Sequence, residues 1–193
     1  MKRLLSLTLT LALLLCLAAC GVPEGAGNSD SGGDPDGAEV WAEDGYAEGR
    51  VGSLMHSYFM DFTVNGAYTA AAYHGHAAPE GKRVLVVDMT VRNTFKESIS
   101  MYDIDFQGQW SASAETDEFA WPITVGEDGG ELDVVAEEQL PAEYELAVDE
   151  SRTGTLVFDV PADEKDFSIA YQELFADDTD GSTFFVYFTA QRK

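Results

Sequence analysis

The chain has 193 residues with 35 acidic and 11 basic side chains, a formal net charge of −24 with histidine neutral. Such a surface repels phosphate backbones and anionic head groups, which argues against nucleic acid as a partner. Only two cysteines are present, Cys16 and Cys20.

In chain order, Met1, Lys2 and Arg3 precede an apolar run from Leu4 to Leu17, and Ala18-Ala19-Cys20 follow. A charged start, a short apolar segment and small residues before a cut are the parts of a secretory signal. The run is shorter than the roughly 20 residues a spanning helix needs. Residues 1–19 are therefore expected to be removed. The tetrapeptide Leu17-Ala18-Ala19-Cys20 resembles the lipobox of bacterial lipoprotein precursors. That resemblance implies cleavage before Cys20, a diacylglyceryl group on its thiol, and a lipid anchor facing the extracytoplasmic side, at the cell surface or in the periplasm. Two or more acyl chains anchor stably where one is marginal. An ordinary signal peptide that happens to carry a cysteine, or an uncleaved anchor, is the alternative.

Cys16 would be lost with the signal, so neither an internal disulfide nor a disulfide-linked partner is expected. The mature chain would keep 9 basic against 35 acidic residues, a charge of −26. The plainest reading of that acidity is solubility and self-repulsion at a crowded surface. Residues 20–44, starting with Cys20, are Gly, Ser, Asp, Glu, Pro and Ala with little apolar except Val22, Val40 and Trp41. Such a composition buries too little to offset its chain entropy and is expected to be a disordered linker. As a flexible coil of about 25 residues it would span roughly 25 to 30 Å.

Residues 45–193 are expected to form one domain with a period near two. Tyr58, Met60, Phe62 and Val64 alternate with Asp61 and Thr63; Leu85, Val87, Met89 and Val91 share a face opposite Asp88, Thr90 and Arg92. The alternation is read onward through Tyr102, Ile104, Phe106 and Trp110 against Asp103, Asp105, Gln107 and Gln109. Asp133 to Tyr144 reads as a short helical turn limited by Pro141. Leu156, Phe158 and Val160, then Phe167, Ile169 and Tyr171, continue the strand pattern. Phe184 to Phe188 is apolar on both faces, as in a central or partly covered strand. Turn signals at Pro79-Glu80-Gly81, Asn93-Thr94, Asp128-Gly129-Gly130 and Asp180-Gly181 separate the runs. Seven to eight short strands with such spacing predict an all-β, antiparallel β-sandwich, with a barrel as the alternative.

Gly81 to Thr94, reading GKRVLVVDMTVRNT, resembles the GxxxxxVxVxVxNT signature of the DUF4352 family of immunoglobulin-like extracellular domains. Ser151 to Pro161 is similar to that family's second signature, a turn leading into a strand closed by proline, and Met101 to Phe106 falls where the family has a strand ending in Asp-Phe. The resemblance covers most of residues 54 to 190. It implies an immunoglobulin-like sandwich, common on bacterial lipoproteins, and transfers no catalytic residue. From the residues themselves, Asn93 suits a strand end that bonds back to the backbone, and Gly154 suits a bulge or close approach.

The candidates for chemistry are few. His74 and His76 would share a face on a strand and could hold a transition metal, but a site needs three or four converging ligands, and a solvated loop pair is the simpler reading. Asp177-Asp178-Thr179-Asp180-Gly181 looks like an oxygen-rich calcium loop but lacks the alternating acids and the later glutamate, and the same applies to Glu127 to Glu131 with Asp133. Ser53 and Ser182 lie beside glycines without a GxSxG elbow. Trp110, Trp121, Tyr102 and Tyr187 are the aromatic candidates for a binding face, Trp121 above all because it borders a polar loop.

The expectation is thus a non-catalytic binding or protein-interaction module with no cofactor, held to a membrane through Cys20, with a protein or cell-envelope partner. A metal-assisted or carbohydrate-active hydrolase, or a calcium-stabilised ligand-binding domain, is the alternative. Recognition would use sheet faces or end loops.

Overall fold

The computed structural model describes residues 37–112, 116, 118–126, 128–176 and 179–193. The signal segment 1–19, Cys20 and the linker to residue 36 lie outside the described residues. In chain order the strands are β1 (Glu39–Trp41), β2 (Tyr46–Arg50), β3 (Leu54–His56), β4 (Met60–Ala70), β5 (Ala72–Tyr73), β6 (His76–Ala77) and β7 (Lys82–Asn93). They continue with β8 (Ile99–Tyr102), β9 (Phe106–Trp110), β10 (Glu143–Leu146), β11 (Ser151–Pro161), β12 (Asp166–Leu174), β13 (Asp180–Thr189) and β14 (Gln191–Arg192).

The alternating runs put their apolar sides into one core between two sheets. The first sheet is ordered β1-β3-β4-β7-β11, with β14 also beside β4; the second is ordered β2-β13-β12-β9. Ribbons β8–β10 and β5–β6 complete the molecule. Leu85, Val87, Met89 and Val91 are fully buried on one side of β7, as are Phe62, Leu156, Phe158 and Val160 on its neighbours. Phe62 of the first sheet meets Phe106, Tyr171 and Phe184 of the second at ring centroids 5.6, 5.7 and 6.1 Å apart. Each such side chain contributes about 1.5–3 kcal/mol by leaving water. The all-β sandwich expected from the sequence is the architecture found.

Several details depart from the expectation. The strand count exceeds seven to eight because short segments pair at the edges, and three of them, β1 on β3, β2 on β13 and β14 on β4, do so in parallel. The folded region starts before residue 45: β1 lies within the segment read as linker. Val40 packs on the core, and the exposed Trp41 ring stacks on His56 at 4.1 Å, so one aliphatic contact and one ring stack hold that stretch to the sheet.

Met101 to Trp110 is not one continuous strand. A 3-10 turn at Asp103–Asp105 resets the alternation, burying Met101, Asp103 and Phe106 and exposing Tyr102 and Ile104. Residues 133–144 hold no helix. Gln139 bridges to Thr155 and β10 takes Glu143 to Leu146 into a ribbon with β8. The backbone amides there are satisfied by strands, with Leu140 donating to Thr155 and Thr155 to Glu138 at 2.9 and 2.8 Å.

Asn93 is a buried hub. Its amide nitrogen lies 2.8, 3.0 and 3.1 Å from the carbonyls of Glu97, Leu146 and Ala147, and its side-chain oxygen accepts from Phe95 N at 2.8 Å. Gly154 lies where a Cβ would stand 2.8 Å from Leu140 Cδ2 and 2.9 Å from the Glu138 carbonyl, the close approach read from the sequence.

Candidate functional site

The two-faced apolar run of β13 sends Phe184 and Val186 into the core and leaves Phe185 and Tyr187 on the outer face of the four-stranded sheet. Parallel pairing sets Glu48 beside Phe185 and Arg50 beside Tyr187. On the other side β12 brings Ala170 opposite Phe185 and Ser168 opposite Tyr187, and β9 brings Gln107 and Gln109 opposite those two. Two rows therefore cross the face, Arg50-Tyr187-Ser168-Gln109 and Glu48-Phe185-Ala170-Gln107. Small side chains between rings on one side and amides on the other leave a trough, with the shaded Ser168 in its floor.

The trough holds a cavity of about 800 Å³ that reaches Tyr46, Trp110, Asp166 and Phe188. This is within the roughly 300–1,000 Å³ of small-ligand sites. Its rings are held in place. Phe185 and Tyr187 are 5.9 Å apart and within 15° of parallel, and Tyr46 tilts on Phe185 at 5.4 Å. The Arg50 guanidinium stands 5.2 Å from the Tyr187 ring centroid and also donates to the Gly49 carbonyl. The Tyr46 hydroxyl donates to Glu48 at 2.7 Å and lies 3.2 Å from that of Tyr187. Desolvation, followed by these bonds to Tyr187 and Glu48, raises the Tyr46 hydroxyl well above the usual phenol range, so it remains a donor.

The other candidates do not converge. His74 pairs with Glu138 at 2.9 Å from a left-handed turn position, His76 with Asp159 at 2.9 Å, and His56 with Asp61 at 2.8 Å. Among the described residues no three metal-ligating side chains gather. Asp177, Asp178 and Glu127 lie outside the described residues; Asp128 caps its own turn by accepting from Gly130 N. Ser53 is buried and accepts from Arg50 N, while Ser182 N donates to the buried Glu173. Trp121 is 42% exposed and edge-on to Phe119. Tyr102 is exposed and donates to Glu143.

Two groups were not singled out by the sequence. Asp103 is 1% exposed, accepts from the Thr124 hydroxyl through Oδ2, and is pushed up to about 6 by burial against the pull of that bond. It lines neither the trough nor the cavities beside Tyr73 and beside Phe95. Glu173 holds Tyr58 N at 2.6 Å and Ser182 N at 2.8 Å, fixing one end of the sandwich where Tyr58, Phe59, Phe95 and Phe175 pack edge to edge. Nothing in the strand periodicity marks either residue. Among the described residues no helix is long and apolar enough to cross a membrane.

No family model matches the chain, and no curated protein is similar to it. Among solved structures, ycdA of Bacillus subtilis, provisionally assigned as a lipoprotein, is similar at 16% identity and a TM-score of 0.52 over 69% of this chain. The match takes in 37% of ycdA, little more than a third of its length. The yjhA protein of Bacillus subtilis aligns at 17% identity over 71% of this chain and 98% of its own, with a TM-score of 0.49. A β-sandwich protein of Clostridium difficile aligns at 11% over 74% and 93%, with a TM-score of 0.41. At 16% identity the likeness to ycdA is one of fold, the two-sheet sandwich that carries the trough.

Proposed function

We propose that the chain is a lipid-anchored, extracytoplasmic, non-catalytic binding module of the DUF4352 type, attached through Cys20 and recognising its partner on the outer face of the four-stranded sheet. The observation that carries this reading is the trough, where fixed aromatic rings face amide and hydroxyl groups in one open cavity. The family reading is supported by β7 and β11, which hold the two signature segments and pair with each other from Lys82–Pro161 to Arg92–Ser151. Asp103, whose carboxyl is raised by burial, is sealed in the core away from this face, and His74 and His76 engage separate carboxylates.

The test is sedimentation of the purified full chain with cell walls of the bacterium that makes it. Wild type should sediment, and Phe185→Ala/Tyr187→Ala should remain in solution with its fold intact. Equal sedimentation of both would end the proposal for this face. In fractionated cells Cys20→Ser should leave the membrane; a variant that stays membrane-bound would end the anchor.

A further inference from the structure

The trough also carries information about what it would hold. β12 and β13 are paired on both sides, so the backbone of this face is already committed to the sheet and an added strand has nothing to bond. A ligand here meets side chains alone. Those side chains are aromatic faces at Phe185, Tyr187 and Tyr46, opposed by the Gln109 amide and the Ser168 hydroxyl across one trough.

A purely apolar occupant would leave Gln109 and Ser168 without partners, and an unpaired amide costs about 1–3 kcal/mol when covered. An anionic occupant meets the carboxylates of Glu48 beside the trough and Asp166 in its wall, on a chain of net charge −24. Arg50 is the cation among the residues lining the cavity, and it is turned to the Tyr187 ring and the Gly49 carbonyl. A cationic occupant meets the Arg50 guanidinium, which already stands over the Tyr187 ring. What matches rings on one side and a planar amide on the other is a ligand with apolar C–H faces and hydroxyl edges and no charge.

Resting on the binding reading above, we infer that this trough is a glycan subsite that takes uncharged pyranose units of a polysaccharide, with the sugar C–H faces on Tyr187 and Phe185 and the hydroxyls on Gln109 and Ser168. The geometry divides the work between the two sides. Rings give contact area at low entropic cost, and the amide, with both donors and an acceptor, sets orientation.

The test is isothermal titration of the full chain, purified in detergent, with chitohexaose and cellohexaose, using polygalacturonate as the anionic comparison. Wild type should bind at least one hexasaccharide. Tyr187→Ala and Gln109→Ala should each weaken that binding by at least about fivefold while melting at the wild-type temperature. Gln109→Ala removes no core group, so it reports even if Tyr187→Ala folds poorly. Absence of heat with both hexasaccharides, unchanged affinity in Gln109→Ala, or stronger binding of polygalacturonate overturns the inference. If hexasaccharides fail but cell-wall sedimentation still depends on Phe185 and Tyr187, the binding face stands and the glycan assignment falls; if both fail, both readings fall.

Discussion

Asp103 gives the sharpest quantitative expectation. Its carboxylate is 1% exposed, Oδ2 accepts from Thr124, and Oδ1 has no hydrogen-bond partner. Burial raises its pKa from 3.8 to about 6, with Asp105 and Glu131 adding repulsion and the bonds from Thr124 and Ile104 opposing it. Because the folded value exceeds the unfolded one, the native state holds more protons between these values. Stability from this group is therefore complete below about pH 4, falls as pH rises to about 6, and is level above it. At about 1.36 kcal/mol per unit, the loss across that window is about 3 kcal/mol.

Asp103→Asn removes the titration while leaving an oxygen for Thr124. The stability difference, variant minus wild type, should thus be about 3 kcal/mol more favourable near pH 7.5 than near pH 4, whatever its constant offset. Urea unfolding of both full chains, followed by the fluorescence of Trp41, Trp110 and Trp121, measures it. Two pH profiles that run parallel within about 0.5 kcal/mol would refute the argument that Asp103 is ionised in a desolvated site.

Other substitutions test the frame that carries the trough. Asn93→Ala should cost about 2–4 kcal/mol, since three carbonyls and one amide lose their partner, and a shift of the urea midpoint reads it. Gly154→Ala should destabilise by about 1–3 kcal/mol because its Cβ would press on Leu140 and the Glu138 carbonyl, whereas Gly66→Ala, which meets nothing within 4 Å, should leave the melting temperature near wild type. Glu173→Ala should release the amides of Tyr58 and Ser182 and cost about 1–3 kcal/mol, with faster hydrogen exchange confined to the β3–β4 loop and the start of β13.

The period-two pattern was legible wherever a strand ran without interruption. Leu85 to Val91 and Leu156 to Val160 fell on the core side as read, because a pleat admits no other placement once one face is buried. It failed at Tyr102 to Trp110, where one 3-10 turn shifts the phase and puts Asp103 inside. The strand at Glu39–Trp41 was hidden by polar neighbours, although Val40 and Trp41 stood out from them. Of the candidate face, Tyr187 and Trp110 were named from the sequence and the doubled apolar pattern of Phe184 to Phe188 was visible. Tyr46, Arg50, Ser168 and Gln109 were not. Their meeting depends on the cross-strand register of three pairings, Arg50 with Tyr187, Tyr187 with Ser168 and Ser168 with Gln109, which no local pattern encodes.

The central claim is that recognition uses the outer face of the four-stranded sheet. Hydroxyl-radical footprinting of the full chain, with and without cell walls of the bacterium that makes it, tests this directly, since aromatic side chains report their own cover. Protection should fall on Tyr46, Phe185 and Tyr187 and leave Tyr58, Phe119 and Trp121 unchanged. Protection of Tyr58 or Trp121 instead, or none at any of these rings, would contradict the account.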